Sequence, residues 1–65
     1  MKLHYDSEAD ALYVRFSDQK ILESEEVRPG LILDFDEEGR IVAIEMLDVR
    51  KQMPPDAIVN LQAAE

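Results

Sequence analysis

The 65 residues carry 15 acidic side chains against 7 basic ones, a net charge of −8, and no cysteine. Such a length allows one domain, and the lack of cysteine excludes disulfides and thiolate metal centres. Nucleic acid is a poor partner, because phosphate contact depends on clustered cations and only Arg50 and Lys51 are adjacent here.

Leu3–Tyr5 reads as a short strand. Ala11–Phe16 is a second, with Leu12, Val14 and Phe16 on one face and Tyr13 and Arg15 on the other. Between them Asp6 opens a turn by bonding a backbone amide two residues on, and Asp10 or Ala9 closes it, aspartate tolerating left-handed φ better than alanine. Ser17-Asp18 then breaks the run. Lys20–Val27 is the weakest strand, and Glu23, Glu25 and Glu26 mark it as an edge whose charges deter pairing between sheets. Arg28-Pro29-Gly30 is a sharp turn: proline presets φ and glycine takes the positive φ of a type II turn. Leu31–Phe35 and Arg40–Leu47 follow, joined by a turn that Asp36 begins and a left-handed Gly39 ends.

Past Leu47 the alternation fades. Leu47–Met53 predicts two helical turns stopped by Pro54-Pro55. Asp56–Glu65 predicts a short helix with Asp56 as N-cap and Ile58, Leu61 and Gln62 on one face. The expected fold is α+β, mainly β: a four- to five-stranded antiparallel meander over residues 1–53, then a C-terminal helical tail, 54–65, with one or two short helices. A chain this short buries only about 60% of its unfolded surface, so a homodimer is expected. With no long apolar run, and acids arriving early in MKLHYDSEAD, a cytoplasmic protein that avoids membranes is expected.

Two acidic runs resemble cation loops. Asp34, Asp36, Glu38, Gly39, Ile41 and Glu45 fall at positions one, three, five, six, eight and twelve of an EF-hand loop. The context opposes it, since Pro29 and Gly30 stand where the entering helix should run and β-branched residues follow. A hairpin turn is favoured, and a divalent-cation binder using Asp34, Asp36, Glu38 and Glu45 is the alternative. Asp6, Glu8 and Asp10 alternate likewise, but lack the glycine and the closing glutamate, so they too read as a turn.

Glu45 shares a strand face with Ile41, Ala43 and Leu47, while Val42, Ile44 and Met46 line the other. If its face is covered it needs a cation or several donors, with Arg15 the candidate partner and Arg28 and Arg40 as others. A half-exposed glutamate in a surface ion pair is the plainer reading, and a small enzyme of unknown reaction around Glu45 the more ambitious one. Nothing else points to catalysis. His4 is the lone histidine, Ser7, Ser17 and Ser24 lack any nucleophile signature, and Gly30 and Gly39 are too isolated for a phosphate loop. No enzyme and no cofactor is expected.

Tyr5-Asp6, Asp10, Leu12-Tyr13-Val14, Pro29-Gly30, Leu33-Asp34, Asp36 to Gly39 and Ile44-Glu45-Met46-Leu47 form an ordered set. It resembles the pattern of short, mainly bacterial and archaeal proteins grouped as domain of unknown function 2283. The resemblance covers residues 4 to 51 without insertion, with Ser7 in place of a proline and Ala43 in place of a glycine. It implies a small β-rich fold with a C-terminal helix. Because some members neighbour genes for small basic proteins with a toxin-like RNase domain, it also implies an antitoxin-like role. The residues themselves suit a non-enzymatic acidic module whose Glu23, Glu25 and Glu26 meet a basic protein partner.

Overall fold

The computed structural model describes residues 1–64. Five strands, β1 (Lys2–Asp6), β2 (Ala11–Arg15), β3 (Glu23–Arg28), β4 (Leu31–Phe35) and β5 (Ile41–Met46), precede two helices, α1 (Val49–Gln52) and α2 (Pro55–Ala64). All strand pairs are antiparallel, in one sheet of order β1-β2-β5-β4-β3. The meander is thus interrupted once. β1 and β2 form one hairpin and β3, β4 and β5 a second run, and the connection after β2 carries the chain past β5 and β4 to the far edge.

Register sorts the side chains. Tyr5, Leu12, Met46 and Leu31 align across four strands, with Leu3, Val14, Ile44 and Leu33 in the next row of the same face. The helices lie on this face. Tyr5, Leu12, Val14, Met46, Val49 and Ile58 form the buried cluster, and Leu3, Leu31, Ile44, Met53 and Leu61 pack against it. The other face carries His4, Tyr13, Glu45, Ile32 and Glu26 in one row, and Arg15, Ala43, Asp34 and Ser24 in another. A one-residue slip of any inner strand would exchange the two sets, so burial fixes the register.

Four residues are too few for a helix to hold itself, so α1 depends on Val49, which is fully buried. α2 begins at Pro55, whose fixed φ and missing N–H suit the first helical position. Asp56 therefore lies in the first turn and is not the expected N-cap. Ile58 is buried and Leu61 half-buried, but Gln62 is exposed and does not share their face of contact. α2 rests against β1, so residues 54–64 join the β-rich part in one core. Residue 65, the end of the expected tail, lies outside the described residues. Among the described residues no helix is long and apolar enough to cross a membrane.

Candidate functional site

Most of the acids singled out in the sequence shape the backbone. Asp6 Oδ1 accepts from the amides of Glu8 (3.0 Å) and Ala9 (3.2 Å), which closes the β1–β2 turn. Asp10 ends that turn with a left-handed φ of 53°. Its carboxylate accepts from the Tyr5 hydroxyl (2.8 Å) and the Arg50 amide (3.0 Å), its carbonyl accepts from the Val49 amide (3.1 Å), and the Arg50 guanidinium lies 3.4 Å away. Asp10 thus caps α1 from 40 residues away, while Asp48, in the N-cap position, makes no side-chain cap. Burial pushes the Asp10 carboxyl up. The Arg50 amide, the Tyr5 hydroxyl and the charges of Arg50 and Lys51 outweigh it and hold the group below its ordinary range. Burial, followed by the bond to Asp10, raises the Tyr5 phenol.

Asp36 organises the β4–β5 turn in the same way. Its Oδ1 accepts from the Glu38 and Arg40 amides, both at 2.9 Å, and its Oδ2 from Arg40 Nε at 2.9 Å. Arg40 also reaches Glu38 at 3.1 Å. The Arg40 amide bond is the main cause that holds the Asp36 carboxyl low, against partial burial. Gly39 supplies the positive φ, 78°. The four residues of the EF-hand-like spacing do not converge: Asp36 and Glu38 gather around Arg40, while Asp34 and Glu45 lie on the sheet face turned away from the helices. Among the described residues no group of three or more histidines or acids is placed to hold a metal ion.

Asp34 and Glu45 are the pair that spacing alone did not reveal. Glu45 is opposite Ile32 and Asp34 opposite Ala43, so the carboxyls are diagonal neighbours on β5 and β4. Asp34 is only 3% exposed and accepts from Ser24 Oγ at 2.5 Å. Glu45 Oε2 is shut off from solvent without a donor. Burial first, then a hydrogen bond to Asp34 and the charge of Asp34, push the Glu45 carboxyl up to about 7. The expected partner of Glu45 was Arg15, which shares its face but turns elsewhere. It donates to the carbonyls of Ser17 (2.8 Å) and Gln19 (2.7 Å) and to the Tyr13 hydroxyl (3.4 Å).

The remaining feature is β3. It has a neighbour on one side only, and all six of its residues are exposed, Glu23, Glu25 and Glu26 among them. Glu26 also accepts from the Gly30 amide (3.1 Å), beside a bulge between Glu26 and Arg28, so it helps close the Pro29-Gly30 turn. A shallow depression of about 140 Å³ lies beyond the start of β3, between Gln19, Lys20, Leu22 and the Asp36–Arg40 turn, and Glu45 does not line it.

The model of the family described as a protein of unknown function (DUF2283) matches residues 2–50. No curated protein and no solved structure matches the chain.

Proposed function

Since the chain belongs to the DUF2283 family, whose description assigns no activity, we propose from its own geometry that it is a non-enzymatic protein-binding module. The docking element is β3, and the occupant is a basic, extended segment of a partner protein.

One observation carries this reading: the edge strand Glu23–Arg28 is exposed along its whole length and acidic at three of six positions. An edge presents a row of unpaired N–H and C=O groups, which is a template for adding a strand. Glutamates on such an edge discourage a neutral or acidic strand and favour a cationic one, so the same residues supply attraction and rejection. An added strand would set lysines or arginines beside Glu23 and Glu25 on one face and beside Glu26 on the other. In the antitoxin-like form of the reading, the strand belongs to a small basic toxin-type protein whose RNA-binding surface becomes covered. Two copies of the chain joined through β3 would oppose glutamate to glutamate, so the homodimer expected from the chain's length does not use that edge.

The test is an amide-resonance titration with an extended peptide of alternating lysine and valine. Its perturbations are expected to concentrate at residues 22–28 and to weaken strongly between about 0.05 and about 0.5 M salt. The double substitution Glu23→Lys, Glu25→Lys should abolish them. Binding that leaves β3 undisturbed, or that ignores salt, would refute the docking strand.

A further inference from the structure

We propose that Asp34 and Glu45 share one proton and that this proton is a pH-sensitive clamp on the β3–β4–β5 half of the sheet. With the proton in place, a hydrogen-bonded chain runs from Ser24 on β3 through Asp34 on β4 to Glu45 on β5. With the proton gone, two negative charges meet across two adjacent strands.

The geometry carries the inference. Asp34 is nearly closed to water, and its Oδ1 already has the Ser24 hydroxyl. Glu45 Oε2 is equally shielded and lacks a donor. A carboxyl facing a carboxyl in such surroundings makes a favourable contact only when one of the two carries hydrogen. The other titratable or charged groups on this face are Tyr13, opposite Glu45 on β2; Arg15, one pair further along, with Lys2 opposite it on β1; Glu26, opposite Ile32 on the β3 side; His4, opposite Tyr13 on β1; and Asp6, opposite Ala11 at the end of β1. Arg15 gives its donors to Ser17, Gln19 and Tyr13, and Glu26 adds negative charge. Burial and the Asp34 contact place the Glu45 titration at about 7, against an ordinary 4.5. A carboxyl raised in the folded state binds a proton that the unfolded chain has released. The contribution of this pair to stability is therefore fully present below the ordinary glutamate range and is lost as pH rises through the raised value, the reverse of a salt-bridged acid.

The inference does not depend on β3 docking anything, and its test needs no partner. Carboxyl carbon resonances of the whole chain, followed from about pH 3 to about pH 9, are expected to show Glu45 titrating near neutrality, apart from the other glutamates. The melting temperature should fall by several degrees across that transition. Glu45→Gln keeps a donor for Asp34 without the charge, so its melting temperature should stay level and exceed that of the unsubstituted chain above neutrality. Asp34→Asn should lower the Glu45 titration, leaving only the part of the rise that burial causes. A Glu45 that titrates with the other glutamates, or a Glu45→Gln chain that melts with unchanged pH dependence, would overturn the clamp. If either variant fails to fold, the titration of the unsubstituted chain decides. Curves recorded with calcium and with chelator should coincide, and a calcium-dependent displacement would replace the shared proton by a bound cation.

Discussion

Alanine in place of Asp10 is expected to release α1 and lower the melting temperature by on the order of 10 °C. Three losses combine. The Arg50 amide at the start of α1 loses its acceptor, the Tyr5 hydroxyl loses its bond to the Asp10 carboxylate, and alanine must hold a φ of 53° that aspartate tolerates better. A four-residue helix has no internal reserve, so Val49 should leave the core with it. Hydrogen exchange at Val49–Gln52 should quicken far more than exchange within β4. Asp10→Asn keeps an acceptor and tolerates the same φ, and should cost about a third as much. The sign of the pH effect is fixed by the direction of the shift. A carboxyl held low in the folded state contributes stability above its ordinary value of 3.8, and that contribution vanishes as pH falls through the folded value. Asp10→Asn should therefore shrink the acid-side loss of stability, with Asp36 responsible for much of what remains.

The two glycines should part company when each is replaced by alanine. Both hold positive φ, 81° at Gly30 and 78° at Gly39. A methyl at Gly39 meets nothing within 4 Å, so its cost is backbone strain alone, about 1 kcal/mol. A methyl at Gly30 would stand 2.9 Å from Gln52 Nε2 and 3.1 Å from the Leu47 carbonyl oxygen. The Gln52 amide donates there to the Gly30 carbonyl (3.0 Å) and the Leu47 carbonyl (2.7 Å), tying α1 to the ends of β4 and β5. Strain and overlap together should cost about 3 kcal/mol at Gly30. That is a large part of the stability of a domain this small, and urea unfolding of the two variants side by side measures it. Equal losses would mean that the Gln52 bridge adds nothing.

The strands were legible because period-two alternation is a local signal. Leu31–Phe35 emerges with the bounds that its residues suggest, and Ala11–Phe16 loses only its last residue. Lys20–Val27 begins three residues later than its composition suggests, because its first residues are spent crossing the end of the sheet. Strand order was not legible: nothing within Ile41–Met46 records that it will sit beside β2 as well as β4. The same gap explains the site. Alternation set Glu45 apart from Val42, Ile44 and Met46 on its own strand, but only the register shows that it shares a face with Arg15 and that Asp34 is diagonal to it. Asp10 was readable as a turn residue, whereas its bond to the Arg50 amide spans 40 residues and leaves no local trace.

The position of β5 has a consequence for how the molecule assembles. The last strand to be synthesised is the one inserted between β2 and β4, so the hairpin β1–β2 and the hairpin β3–β4 have no common partner until Met46 is available. Closure is then a late, non-local step, which sets the pace of folding more than either hairpin does. Until it occurs, β2 and β4 stand as bare, largely apolar edges, and that interval is when a crowded chain is most exposed to joining the wrong neighbour.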